Sequence, residues 1–254
     1  MTVLTGLLDV EHLTYSWGKS SDVGRESTLR KVSFGLLAGE IKAILGPNGS
    51  GKSTLLRLMS GLIPLSPTRC KGRVRSRGRD LLTLPSQSRA SVISYLGSDF
   101  NSEFPLTVET AVALGGLFTS QSPSGRLETV QAALERCLCQ DLRHQDLRSL
   151  SGGQRQLAGL ARAMVQSPEI LLLDESLSKM DLDHQHRISQ VLREWVRDKN
   201  SAVLWVSHDL HLAAQVADSA LWLRAGEKIG DGRIFEMLAP AMLKQVYPHA
   251  GGLN

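Results

Sequence analysis

Residues 46–54 read Gly-Pro-Asn-Gly-Ser-Gly-Lys-Ser-Thr, and no other stretch restricts the fold of this 254-residue chain as tightly. The run Glu40-Ile-Lys-Ala-Ile-Leu45 leads into it as a strand. Leu55, Leu56, Leu58 and Met59 follow at helical spacing up to a stop at Gly61. Strand, glycine loop and helix, in that order, are what the pattern G-x-x-x-x-G-K-[ST] requires. Gly46, Gly49 and Gly51 let successive backbone N–H groups converge on phosphate oxygens, with Pro47, Asn48 and Ser50 completing the loop. The helix that begins after Gly51 points the positive end of its dipole at the same place. Lys52 neutralises β- and γ-phosphate charge, and the Ser53 hydroxyl, followed by Thr54, offers a ligand to Mg²⁺. The motif predicts binding of a nucleoside triphosphate.

The rest of the chain fits around that unit. Ile170 to Leu173 and Ala202 to Val206 are short apolar runs of the kind buried on both faces of a parallel sheet. Helical periodicity marks Arg126 to Cys139 (Leu127, Val130, Leu134 and Leu138 on one stripe), Gln154 to Val165 and His184 to Arg197. Alternating strands and helices predict an α/β fold with a parallel sheet. The middle third reads as mostly helical, an inserted subdomain over about 86–159 within a core of about 1–85 and 160–254. With 42% apolar residues the chain can bury a full core, and 29 basic against 25 acidic residues are too evenly balanced to select nucleic acid or anionic lipid as partner. Arg69, Lys71, Arg73, Arg75, Arg77 and Arg79 alternate, so on a strand they would share one face. A solvated hairpin and a contact with an anionic surface both remain open for this stripe. Cys70, Cys137 and Cys139 lack metal-ligand spacing, and pairs such as His208 with His211 or His184 with His186 lack a third ligand. The opening residues do not resemble a signal peptide, so a reducing, cytosolic setting is expected. The apolar runs fall far short of the roughly 18 residues that cross a bilayer, so any membrane role is expected to be peripheral.

Two further motifs carry chemistry. The run Ile170 to Leu173 delivers Asp174 and Glu175 where open α/β sheets bind ligands. Asp174 is expected to serve Mg²⁺, and Glu175 to orient and deprotonate an attacking water. Leu150-Ser151-Gly152-Gly153-Gln154 precedes an amphipathic helix. Ser151 is a natural N-cap and the glycines expose free N–H donors, which makes a second helix-end anion site. One triphosphate does not need two such sites from one subunit, and a dimer in which each copy closes on the other's nucleotide uses both.

With these motifs in this order, GPNGSGKST (46–54), LSGGQ (150–154), LLLDE (171–175) and WVSHD (205–209), the chain resembles the ATP-binding cassette family, the ATPase subunits of ABC transporters. The resemblance implies a phosphate-loop ATPase core with a parallel sheet, an N-terminal antiparallel β region and an inserted helical subdomain. It implies ATP and Mg²⁺ as ligands, and His208 as a switch contacting the γ-phosphate and supporting Glu175. Trp17, with Tyr15 as second choice, is placed to stack on adenine, and Asp181, in Ser178-Lys179-Met180-Asp181, to contact the partner subunit. It further implies a homodimer, or a pair with a homologous cassette, docked on integral membrane permease subunits at the cytoplasmic face of the inner membrane. An extracytoplasmic binding protein would take part indirectly, and no nucleic acid is expected. Two positions depart from the pattern. Ser176 stands where proline usually follows the glutamate. In Ile93 to Ser98, which the resemblance implies is a strand, Ser98 stands where a glutamine normally ends the strand and touches Mg²⁺, with Asp99 beside it as a substitute carboxylate, so altered coupling to the membrane partner is expected. Phe104 to Glu109 and the tail Glu236 to Tyr247 look like the subfamily that imports iron-siderophore complexes, haem and cobalamin. The rival readings are a soluble cassette acting on nucleic acid or ribosomes, and a degenerate regulatory cassette.

Overall fold

The computed structural model describes residues 6–17, 28–66, 68–117, 123–177 and 180–247. Strands β1 (Leu8–Tyr15) and β2 (Leu29–Leu36) precede β3 (Ile41–Leu45), which delivers the glycine loop to helix α1 (Lys52–Ser60). Strands β4 (Cys70–Ser76) and β5 (Arg79–Asp80) and helix α2 (Ser86–Ala90) lead to β6 (Ile93–Leu96). Helices α3 (Val108–Ala113), α4 (Pro123–Arg136) and α5 (Gly152–Val165) come next. Then β7 (Ile170–Asp174), α6 (Leu182–Lys199), β8 (Ala202–Val206), α7 (Leu210–Val216) and β9 (Ser219–Arg224) alternate. Strand β10 (Glu227–Arg233) and helices α8 (Ile234–Met237) and α9 (Pro240–Val246) complete the described chain.

The strands form two sheets, an antiparallel one in the order β2-β1-β4-β5 and a larger one in the order β10-β9-β3-β8-β7-β6. In the larger sheet β9, β3, β8, β7 and β6 run parallel, and only β10 pairs antiparallel. The expected α/β architecture is present, including the antiparallel region. Every residue of β3, β7 and β8 is buried, and the two-residue period of a strand divides them between two cores. Leu171, Leu173, Val203 and Trp205 face the helices. Ile170, Leu172, Leu204 and Val206 face α1 and the antiparallel sheet. Burial on both faces is why these runs are continuously apolar rather than alternating. Burying each such leucine stabilises by about 1.5–3 kcal/mol.

Three local expectations change. The segment read as helical from residue 86 contains β6, which pairs with β7 as the edge of the parallel sheet. Four residues on a sheet edge, all but Tyr95 buried, are too short for their period to separate strand from helix. Helix α4 ends at Arg136, three residues before the expected Cys139, because Leu138 takes a left-handed φ of 57°. Its buried stripe is Val130, Ala133, Leu134 and Cys137, with Leu127 62% exposed. The basic stripe leaves its strand after Ser76, where Arg77 turns at a φ of 47°. Arg75 pairs with Glu11, and Arg77 and Arg79 both pair with Glu169, so three of its six charges are ion-paired among the described residues. All three cysteines are free. Burial raises the Cys137 thiol well above its ordinary value and pushes Cys139 up to about 12, so both behave as apolar side chains.

Candidate functional site

The glycine loop turns where the sequence requires. Gly46 has a φ of 146°, and a Cβ there would stand 2.0 Å from the Leu223 carbonyl oxygen. Gly51, at a φ of 100°, is the residue that opens α1. These two positions admit only glycine without moving backbone. Lys52 is buried with 5% exposure, and its Nζ donates to the Gly46 and Pro47 carbonyls at 2.9 Å each. Burial pulls its pKa down, against the opposing pull of Glu175 and Asp174. Residues 48–54, with Thr28 and Glu175, line a cavity of about 320 Å³. Ser50 Oγ is buried within the loop with no hydrogen-bond partner among the described residues. A buried hydroxyl left unpaired inside a cradle of N–H donors suits a ligand rich in acceptor oxygens.

Strand β7 ends at Asp174, which is 3% exposed. Its Oδ1 accepts from Ser53 Oγ at 2.8 Å and its Oδ2 from the Tyr95 hydroxyl at 2.9 Å. The next residue, Glu175, adopts a left-handed φ of 55°, and its N–H donates to the Val206 carbonyl. This conformation disfavours any non-glycine residue, at a cost on the order of 1 kcal/mol, and it separates two consecutive carboxylates. Glu175 Oε1 lies 2.6 Å from His208 Nε2, at the start of the loop after β8. Both side chains are more than a third exposed, so a water can reach them. Asp174 and Glu175 therefore have the separate surroundings that separate roles need. Ser176, in the proline position, is fully buried, and its hydroxyl has no partner among the described residues.

Ser151 caps α5 in a reciprocal box. The Gln154 N–H donates to Ser151 Oγ at 3.2 Å and the Ser151 N–H to Gln154 Oε1 at 2.9 Å. Ser151, Gly152, Gly153 and Gln154 line a second cavity, of about 420 Å³, together with Asp181 and His184. It shares no residue with the glycine-loop cavity. The Ser151 cap and the glycine loop thus line different cavities of the chain. Asp181 caps α6: the His184 N–H donates to its Oδ1, and the His184 ring Nδ1 lies 2.8 Å from both oxygens. The Asp181 carboxyl is held below the usual carboxylate value by that backbone bond first and by the ring second. Ser178 and Lys179 lie outside the described residues.

Trp17 is 53% exposed and meets Tyr15 edge-on, with ring centroids 5.3 Å apart. Tyr15 is itself 1% exposed, which leaves the Trp17 ring as the one open to a ligand. Ser98 does not line the glycine-loop cavity, and its carbonyl accepts from Gln156 Nε2 at 2.7 Å. The side chain that strand β6 does bring to the carboxylate is Tyr95, which sequence reasoning passed over. Arg57 Nε donates to the Tyr95 hydroxyl at 3.3 Å, while Arg57 Nη2 stands 3.7 Å from Asp174 Oδ2. Burial pushes the Tyr95 phenol up to about 12, so it is a donor at neutral pH. One signal was present: Arg57 follows Ser53 by four residues, and so rises from the same face of α1.

Ser53 Oγ and Asp174 Oδ1, a hydroxyl and a carboxylate side by side, are the hard oxygen donors that Mg²⁺ takes, and the residues fit that ion. Among the described residues no three His, Cys, Asp or Glu side chains gather as a metal cluster. No helix in those residues is long and apolar enough to cross a membrane.

Comparison with known proteins agrees with this geometry. Residues 29–178 match the family model described as ABC transporter. Hemin import ATP-binding protein HmuV of Bradyrhizobium diazoefficiens is 35% identical over 96% of this chain and 89% of its own length. Its namesake from Pseudomonas entomophila is 37% identical, over 95% of this chain and 92% of its own. Among solved structures, a protein described as a metal-chelate type ABC transporter, in an inward-facing conformation, superposes with a TM-score of 0.77. It is 27% identical, and the match covers 95% of this chain and 89% of that one. A bacterial ABC transporter cassette solved as a dimer gives a TM-score of 0.77 at 26% identity, covering 89% of this chain and 98% of that one. The chain belongs to the ABC transporter family and is one of its ATP-binding subunits, an ATPase.

Proposed function

We propose that the chain energises import of a metal chelate of the haem class, as half of a homodimer that binds two ATP head to tail. The observation that carries the ATPase chemistry is the divergence of Asp174 and Glu175, one held against Ser53 and the other against His208. Lys52 gives up its bonds to the Gly46 and Pro47 carbonyls and turns its charge to the γ-phosphate. Bound Mg²⁺, held by Ser53 and Asp174, would neutralise charge on the β- and γ-phosphates. Ser98 is proposed to reach that ion only through a bridging water, since a hydroxyl is shorter than the usual glutamine amide. Glu175 accepts a proton from the attacking water while His208 orients it and contacts the transferred phosphoryl group. Trp17 stacks on adenine through its exposed face.

Because Ser151, Gly152, Gly153 and Gln154 line a cavity separate from the glycine loop, the reading assigns them to the nucleotide of the second copy, with Asp181 across the same interface. The domain division is read as a core interrupted by a helical subdomain that runs from α3 through α5, with β6 left in the core. Permease subunits would dock beside that subdomain, on the cytoplasmic side of the inner membrane, and an extracytoplasmic binding protein would supply the cargo. Support for the cargo comes from the hemin-import relatives, which match this chain along nearly its whole length. Glu175→Gln tests the reading. This variant should bind ATP, form a stable dimer by light scattering, and turn over roughly 10² to 10⁴ times more slowly. A strictly monomeric, ATP-saturated Glu175→Gln protein, alone and with its permease, would refute the dimer. Normal turnover would refute Glu175 as base.

A further inference from the structure

We propose that Tyr95 is a positioning residue for the Mg²⁺-binding carboxylate, fixing Asp174 through its second oxygen and holding the Arg57 guanidinium off it. The inference rests on the reading of Ser53 and Asp174 as the Mg²⁺ site. Ser53 satisfies only Oδ1. The side chain of Asp174 is 4% exposed, so water is not at hand to satisfy Oδ2, and a buried carboxylate oxygen without a donor is expensive. Tyr95 supplies that donor at 2.9 Å, from a strand hydrogen-bonded in register with β7. A bond at each oxygen leaves the carboxylate one orientation, with Oδ1 at Ser53.

The second part of the role concerns charge. The Tyr95 hydroxyl that donates to Asp174 also accepts from Arg57 Nε, and this bond keeps Arg57 Nη2 3.7 Å from Oδ2, beyond hydrogen-bond reach. The two are an ion pair at that distance already; without the hydroxyl the guanidinium can close further on Asp174 and hydrogen-bond Oδ2 directly. A cation seated there would compete with Mg²⁺ for the same negative charge. Ser98 strengthens the case, because the loop that follows β6 offers a hydroxyl where the family offers a longer amide. Tyr95 is then the one β6 side chain with a described bond to the carboxylate.

The test is thermodynamic and needs no turnover. The dissociation constant of mant-ATP for the purified full-length chain is measured in EDTA and in Mg²⁺, and the ratio of the two reports how strongly the site couples ion to nucleotide. The wild-type ratio should exceed one. Tyr95→Phe, which keeps the ring and removes only the hydroxyl, should lower that ratio about ten-fold. Adding Arg57→Gln to Tyr95→Phe should recover part of the loss, because the competing cation is gone. A merely structural role would move both dissociation constants together and leave the ratio unchanged, and thermal unfolding would show it. A Tyr95→Phe ratio within two-fold of wild type, or a double variant no better than the single one, overturns the proposal while the Mg²⁺ site stands. A wild-type protein whose nucleotide affinity ignores Mg²⁺ overturns both.

Discussion

Replacing Lys52 by methionine separates what this residue does for ATP from what it does for the fold. Lys52 is buried, and its ammonium is bonded to two loop carbonyls. Burial already lowers its pKa, so the charged form is held at a cost. Methionine is unbranched and one atom shorter, loses two hydrogen bonds worth about 1.5–3 kcal/mol each as charged contacts, and removes a desolvation penalty of several kcal/mol. The terms oppose each other, so unfolding free energy should change by no more than about 1 kcal/mol, a melting shift of about 2–4 °C for a chain of this size. Binding has no such cancellation. A unit charge about 4 Å from phosphate charge at an effective dielectric near 20 contributes about 4 kcal/mol, of which solvent and the neighbouring N–H donors recover part. A net loss of about 2–3 kcal/mol raises the ATP dissociation constant roughly 30- to 150-fold. Mant-ATP titration and paired melts with and without ATP measure both quantities. Binding within three-fold of wild type, or a melting point lowered by more than about 8 °C, would refute the reasoning.

Other perturbations separate further parts of the site. His208→Ala removes the imidazole 2.6 Å from Glu175 and should lower ATP turnover by about 10² while changing the ATP dissociation constant only a few-fold, by steady-state kinetics and titration. The Asp181 carboxyl, held down first by the His184 backbone N–H and second by its ring, should titrate below 3.8 by NMR and return only part of the way in His184→Ala, which keeps the backbone bond. A depressed carboxylate contributes stability that is present above pH 3.8 and lost as pH falls through the folded-state value; the exposure of Asp181 keeps that contribution small. Leu172→Ala empties a fully buried position on β7 facing α1 and should cost about 3 kcal/mol in denaturant unfolding, with Mg²⁺-dependent ATP affinity preserved in the folded protein.

Legibility in the sequence followed how local each signal was. The glycine loop, the α5 cap and the acidic end of β7 each depend on a handful of neighbouring residues, and each stands where its motif places it. Strands β3, β7 and β8 were readable because burial on both faces makes them continuous apolar runs. Strand β6 was legible through the family resemblance but not through periodicity, because Ser94 and Tyr95 break its apolar run and their partners are distant in sequence: Gln166 for Ser94, and Arg57 with Asp174 for Tyr95. The end of α4 was misplaced for a similar reason. Leu138 continues the helical spacing, but its left-handed turn carries Cys139 back to bond the Leu134 carbonyl, and no residue type in the segment announces that. Tyr95 went unread because its role exists only across two strands and a helix.

The turn after β7 shows where this fold accepts local cost. Continued strand geometry would send Glu175 to the face opposite Asp174, into the apolar layer beneath the sheet. The left-handed φ at Glu175 breaks that alternation and keeps both carboxylates on the ligand side, one toward α1 and one toward His208. Glycine would take this conformation without strain but has no carboxylate to offer. The next residue adds a second cost, since Ser176 buries a hydroxyl with no partner among the described residues, where a proline ring would have fixed φ and left no side-chain polar atom to satisfy. A left-handed φ and, in the next residue, a buried hydroxyl without a partner among the described residues make this turn locally costly, as expected where a site constrains the backbone. With serine there, the turn is held by the Glu175 N–H on the Val206 carbonyl and by the Glu175–His208 contact. On the proposed reading of Glu175 as base, His208 would help to set the backbone that aims it, as well as meeting the phosphate.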